Sequence, residues 1–293
     1  MKRFFKKILG KKQPVKVSNQ GLIDVFITNG KIPWSKGYWQ YKMQVISELI
    51  QDETQLEYFR KKNLPERFAS GLDERVIEYG WFFSKLTDDH KNLLDAGSTL
   101  NFPEFVNSNK ISKIKLYIQT LAPEKVFFNN RKISYIYDDL RFIPIRDNFF
   151  DAVMSISTIE HIDMDNELFG VESGNNKNVS EKKYGYLNAC LEMLRVCKSQ
   201  GDVFITFPYG KWKSYGFFQQ LDNEMVDRIL DALGQDAKLV EESYFVYESQ
   251  GWHYSDRESL KDSTSYNPHT GEDKGNDGAA HCRGICCLHF KKN

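Results

Sequence analysis

The sequence predicts an α/β fold: a doubly wound, mostly parallel sheet preceded by a helical segment. Short β-rich runs recur through the middle of the chain, over residues 92–96, 114–120, 133–137, 150–156 and 203–207, separated by loops and helical stretches. Strands that alternate with crossovers pair in parallel and place ligands at their carboxyl ends. Residues 34–86 have a different rhythm, with apolar side chains repeating at three and four. The chain has 293 residues, 41% of them hydrophobic, enough for a sizeable packed core. It divides into a tail (1–16), a helical extension (17–90) and an α/β domain (91–293) with insertions at 163–183 and 252–278.

The 40 basic and 40 acidic side chains cancel, which removes the simplest case for nucleic-acid binding, a basic surplus. Mean hydropathy is −0.54, and no apolar run approaches the roughly 18 residues of a membrane-spanning helix. Cys190, Cys197, Cys282, Cys286 and Cys287 are too few and too clustered for a secreted disulfide framework, so a reduced, cytoplasmic setting is expected.

The tail carries Lys2, Arg3, Lys6, Lys7, Lys11, Lys12 and Lys16 without an acid, while Phe4, Phe5, Ile8 and Leu9 share one helical face. It lacks the apolar run and cleavage site of a signal peptide. Residues 1–12 suit peripheral contact with an anionic inner membrane face, and a solvated tail is the plainer reading. Next, Tyr38, Tyr41, Val45, Ile46 and Leu49 predict a helix over 38–49, and Val76, Tyr79, Phe83 and Leu86 another over 75–86. Together these helices are expected to form a small cap packed on the α/β domain.

Chemistry is expected just after the strands. The first runs into Leu94-Asp95-Ala96-Gly97-Ser98-Thr99-Leu100, where a glycine lets backbone approach a ligand. The third leads into Asp138-Asp139-Leu140 and Ile143-Pro144. The fourth, after Phe149-Phe150-Asp151, leaves into Ser157-Thr158-Ile159-Glu160-His161. Later, Leu194-Arg195-Val196-Cys197-Lys198-Ser199-Gln200-Gly201 leads into the strand ending near Phe207.

In that order and spacing, over about residues 74–210, these elements resemble the class I S-adenosylmethionine-dependent methyltransferases. The resemblance implies a Rossmann-like, seven-stranded sheet whose last strand is antiparallel, with S-adenosyl-L-methionine as cofactor. It implies that Asp95 orders the first loop, Gly97 passes the methionine moiety, Asp139 accepts from the adenine amine and Leu140 flanks the ring. The Ser157 carbonyl would meet the methionine ammonium, and Ser98 and Glu160 complete the contacts. Two positions depart from the family pattern. Thr99 and Asn101 replace glycines, and Gln119 stands where an acid grips the ribose hydroxyls. Those departures leave open an altered cofactor pose or a catalytically silent relative. The 94–100 loop and basic start also resemble methyltransferases of bacterial surface-polysaccharide assembly.

His161 and His253 are the candidate general bases for a hydroxyl acceptor, since an imidazole is suited to take a proton near neutral pH. An unengaged loop histidine is the alternative at 161. His281, Cys282, Cys286, Cys287 and His289 invite a zinc reading, but 285–290 alternates like a final strand, which would aim adjacent cysteines to opposite faces. Asp163, Asp165 and Glu167 read as an acidic surface loop, so no metal is expected. Tyr209, Trp212, Tyr215 and Trp252 are expected to line an acceptor surface suited to a sugar or other small molecule. The expected reaction is O-methylation of a sugar or glycan precursor, with another small molecule or a lipid as the alternative acceptor. The oligomeric state cannot be read from the residues.

Overall fold

The computed structural model describes residues 18–129, 131–167, 170, 180–248 and 250–293. The basic tail and, within the 163–183 insertion, residues 168–169 and 171–179 lie outside the described residues. Four helices come first: α1 (Asn19–Thr28), α2 (Tyr38–Gln51), α3 (Glu53–Arg60) and α4 (Arg75–Lys85). Then follow β1 (Asn92–Ala96), a short α5 (Pro103–Val106), β2 (Lys115–Thr120), β3 (Ser134–Tyr137) and β4 (Phe150–Ile156). After α6 (Tyr186–Val196) come β5 (Cys197–Pro208) and a two-stranded ribbon, β6 (Lys213–Ser214) with β7 (Gln219–Gln220). The chain ends with α7 (Asn223–Gly234), β8 (Ala237–Glu248), β9 (Gly251–Ser255), α8 (Arg257–Leu260) and β10 (Gly284–Lys292).

The main sheet runs β3-β2-β1-β4-β5-β10-β8-β9. Its first five strands are parallel, and β10 is antiparallel to both β5 and β8. This is the expected Rossmann-like architecture with one strand more. The extra strand, β9, occupies the start of the segment expected to be a polar loop. It is held because Trp252 is fully buried and its indole N–H donates to the Leu72 carbonyl at 3.1 Å.

Period-two alternation assigns successive side chains to opposite faces. Leu93, Leu116, Met154 and Cys287 pack with the N-terminal helices, whereas Leu94, Tyr117, Val153 and Cys286 pack with α6 and α7. The adjacent cysteines therefore belong to different cores, as strand geometry requires.

One expectation fails. The strand rhythm predicts helical crossovers between the early strands, yet among the described residues the β2–β3 connection has no helix, and β1–β2 holds only α5 and a single turn at Ile111–Lys113. The face they leave bare is covered by α2 to α4, whose Ile46, Leu56 and Phe82 share one core with β1, β2 and β4. Helix α4 is buried around most of its circumference. At Gly80 an added Cβ would lie 2.3 Å from the Phe59 ring, so the glycine is what lets α3 close on α4. None of the described helices is long and apolar enough to cross a membrane.

Candidate active site

The carboxyl ends of β1, β2 and β4 open into a cavity of about 520 Å³, within the size range of small-molecule sites. Its other wall comes from the α4 start, the β6–β7 ribbon and the 261–283 connection, through Glu74, Phe217, Phe218 and His281 among others.

The loop after β1 is organised from below. Asp95 is fully buried, and its carboxylate accepts from Thr99 N (3.1 Å), Thr99 Oγ1 (3.2 Å) and Leu100 N (2.7 Å). Burial pushes its carboxyl up to about 7, against those hydrogen bonds. Asp95 thus orders the loop, as expected, but does not line the cavity. Ser98, in a left-handed conformation (φ 60°), is also off the lining, its Oγ buried without a hydrogen-bond partner among the described residues. Gly97 does line the cavity, but an added Cβ would meet Thr158 Oγ1 at 2.0 Å. The glycine is demanded by the protein's own packing before any ligand arrives.

Gln119, the departure at the end of β2, is fully buried. Its Nε2 donates to the backbone carbonyls of Asp138 (3.3 Å) and Asp139 (3.2 Å), leaving Oε1 buried without a partner among the described residues, on a side chain that lines the cavity. This geometry accounts for the amide, because a carboxylate here would face two carbonyl oxygens.

Asp139 and Leu140 line the cavity. The Asp139 carboxylate is not open as expected: Arg141 Nη2 binds it at 2.6 Å and Arg141 Nε at 3.0 Å, and Arg141 also reaches Asp163 at 2.7 Å. Although partial burial opposes ionisation, the guanidinium holds Asp139 below the usual carboxylate range.

The Ser157 carbonyl, expected to meet an ammonium, already accepts from Arg75 Nη2 at 3.3 Å. Ser157 Oγ donates to Glu78 at 2.5 Å, and Thr206 Oγ1 donates to the same carboxylate oxygen at 2.6 Å. Glu78 is fully buried beside Arg75, and burial raises its carboxyl above the ordinary range. Sequence reasoning missed Glu74, Arg75 and Glu78. Their signal was the acidic and basic start of α4, which periodicity alone assigns to a helix surface.

Glu160 and His161 both reach the cavity. Burial pushes the Glu160 carboxyl up to about 8, with Arg75 opposing, and its Oε2 lacks a partner among the described residues. A carboxyl raised this far binds its proton in the folded state but not in the unfolded chain between about pH 4.5 and 8. Its stabilising contribution is therefore complete below about pH 4.5 and is lost as pH rises through about 8. Glu160→Gln is expected to unfold at a temperature that falls less than wild type's between pH 5 and pH 8. Parallel thermal curves for the two proteins across that range would contradict it.

His161 Nδ1 donates to the Phe217 carbonyl at 2.6 Å, and burial pushes the imidazole down to about 4. The rival base fails on position. His253 sits on the edge strand β9, paired across from Val246, and does not line the cavity. Likewise Tyr209, Trp212, Tyr215 and Trp252 lie off the lining. Among the described residues the indole and phenyl rings that reach it are those of Trp34, Phe217 and Phe218, whereas Tyr215 is buried, stacking on Phe218 at 4.6 Å.

His281 is brought to the cavity by Glu74. Glu74 Oε1 accepts from His281 Nδ1 at 2.9 Å, and Oε2 accepts from Cys282 N at 3.3 Å. Burial opposes the charge, but the hydrogen bond from His281 and the nearby Arg75 guanidinium hold the Glu74 carboxyl below the usual carboxylate range. Ligand atoms of Glu74, His281 and Cys282 lie within 4.8 Å of one another. The other histidine and cysteines of the 281–289 run are dispersed, as a strand requires: Cys286 and Cys287 on opposite faces, and His289 on Asp202 at 2.7 Å. Asp163 accepts from Arg141 Nη1 at 2.7 Å.

No family model and no curated protein matches the chain. Solved structures do resemble it. The cyclase SpnF shows 14% identity over 82% of this chain and 80% of its own, with a TM-score of 0.43. YcgJ from Bacillus subtilis shows 12% identity over 71% and 94%, with a TM-score of 0.42. The 1,6-didemethyltoxoflavin-N1-methyltransferase of Burkholderia thailandensis, solved with its substrate and S-adenosylhomocysteine, shows 9% identity over 69% and 71%, with a TM-score of 0.40. These are likenesses of fold at low identity.

Proposed function

We propose that this chain is an S-adenosylmethionine-dependent methyltransferase acting on an oxygen of a small hydroxylated acceptor, a sugar or glycan precursor of the kind used in surface-polysaccharide assembly. The observation that carries the cofactor half is Gln119 Oε1, an orphaned buried acceptor at the end of β2, where a ribose hydroxyl can donate to it. The rest of the cavity fits the same group. Gly97 passes beside it, Leu140 offers an apolar wall, and the protonated Glu160 offers a donor. When bound, the cofactor supplies a methyl group activated by its sulfonium.

The acceptor half rests on Trp34, Phe217 and Phe218, which border the cavity alongside Lys42, Asn166 and His269. Aromatic faces rimmed by polar groups suit sugar rings, apolar on their faces and hydroxylated at their edges. The chain's own residues act by holding the acceptor in line and excluding water, which supplies most of the acceleration in such a displacement.

Calorimetry with S-adenosylhomocysteine and with NAD tests the cofactor. The chain should bind the first and not the second. Gln119→Leu should lose about 0.5–1.5 kcal/mol of that affinity, the worth of one neutral hydrogen bond. Gln119→Glu should not improve on wild type, because the new carboxylate faces the Asp138 and Asp139 carbonyls. Transfer of labelled methyl to nucleotide-sugars and glycan fragments, against lipid and other small-molecule panels, tests the acceptor. Binding of NAD alone would sink the reading.

A further inference from the structure

We infer that Glu74 and His281 form the proton-accepting pair of this cavity, with His281 Nε2 as the base for the acceptor hydroxyl and Glu74 as the residue that positions and balances it. The inference rests on the methyl-transfer reading above and names the catalytic group that reading leaves open. Both carboxylate oxygens of Glu74 are committed to the His281–Cys282 segment, one to the ring Nδ1–H and one to the Cys282 backbone N–H. With Glu74 ionised, that contact calls for the tautomer in which Nδ1 carries the proton, which Cys282 Sγ at 3.1 Å can also accept, and Nε2 presents its lone pair. Nε2 is buried with no hydrogen-bond partner among the described residues, on a side chain that lines the same cavity as Gly97 and Gln119. The ring is held edge-on by Phe218 at 5.0 Å and Tyr266 at 6.2 Å.

The comparison with His161 turns on charge. His161 directs its Nδ1–H at an uncharged carbonyl, and its neighbour Glu160 holds its proton at neutral pH. An imidazolium formed there has Glu160 Oε1 at 3.9 Å from its Nε2, beyond hydrogen-bond distance. One formed at His281 lies against the Glu74 carboxylate, the arrangement by which a buried acid orients a histidine and stabilises its protonated form. In the step itself the acceptor oxygen bonds to the methyl carbon, the carbon–sulfur electron pair stays on sulfur as neutral thioether, and the hydroxyl proton passes to Nε2. The positive charge thus moves from sulfonium to an imidazolium beside Glu74.

The decisive measurements are ring nitrogen-15 spectra of the protein without cofactor, and kinetics of His281→Asn, His281→Gln, Glu74→Gln and Glu74→Asp. Wild type should show His281 as the Nδ1–H tautomer with an unprotonated Nε2, and Glu74→Gln should lose that preference. Both His281 variants should bind S-adenosylhomocysteine within about threefold of wild type yet turn over about 10²–10⁴-fold more slowly, the usual contribution of a positioned base. Glu74→Gln should lower kcat with little change in acceptor KM, and Glu74→Asp should restore part of it. An Nε2–H tautomer in wild type overturns the assignment, as does stoichiometric zinc in the purified protein, since a metal would take the Nδ1, carboxylate and Cys282 Sγ atoms instead. Near-native turnover of folded His281→Asn, in a chain that does transfer methyl, overturns the base alone. A wild-type chain that binds no S-adenosylhomocysteine overturns the methyl-transfer reading, and this assignment with it.

Discussion

Gly97→Val is expected to destabilise the whole fold, with loss of cofactor binding as a consequence. The residue sits at φ 136°, a conformation L side chains rarely adopt, and its missing Cβ would fall 2.0 Å from Thr158 Oγ1 and 2.8 Å from Thr158 Cβ. Crowding of this kind costs about 1–3 kcal/mol, and an unfavourable backbone conformation adds roughly 1–3 kcal/mol. Thermal unfolding should show a large fall for Gly97→Val and a smaller one for Gly97→Ala. Adding Thr158→Gly to the alanine variant should recover the crowding part and leave the backbone part. A Gly97→Val protein that melts with wild type would mean that the loop after β1 does not touch the β4 end. In that case cofactor binding could be tested at this position without concern for folding.

The second large effect is expected at Lys42, on the opposite wall. Its ammonium is 2.6 Å from Asp73 Oδ2, with the two side chains 5% and 3% exposed. It also lies 4.7 Å from the Trp39 ring centroid and 5.4 Å from that of Tyr38. Tyr38 Oη donates to the same Asp73 oxygen at 2.7 Å. Lys42→Met leaves a buried carboxylate without its cation, which typically costs about 3–5 kcal/mol. Lys42→Met with Asp73→Asn should recover most of that, because the neutral amide no longer needs the charge. Chemical denaturation of the single and double variants checks both statements. A single variant within about 1 kcal/mol of wild type, the ordinary scale of surface pairs, would show that solvent reaches Asp73.

Much of the candidate site was legible from position in the sheet. Residues just beyond the end of a parallel strand arrive at one edge of the sheet, so Gly97, Gln119, Asp139, Leu140, Ser157, Glu160 and His161 all reach the cavity. Their hydrogen-bond duties were not legible. Asp139 is bound by Arg141, the Ser157 carbonyl by Arg75, and Asp95 by its own loop, because each is desolvated and takes the nearest partner that compensates. The aromatic wall was misplaced for a related reason. A tyrosine or tryptophan in a loop reads the same whether its ring faces a ligand or a core, and Tyr209, Tyr215 and Trp252 bury theirs.

While the antiparallel pairing of the final strand was implied only by the family resemblance, by itself the sequence determined the five parallel strands, two of the N-terminal helices and the loops that carry the chemistry. Those features arise from local periodicity, which a strand or helix expresses wherever it lies. Only the tertiary structure decided that the N-terminal helices replace missing crossovers, that β9 joins the sheet, and that Glu74 meets His281 across 207 positions of chain. Such pairings depend on which faces are left uncovered once the strands have paired, and no local pattern records that.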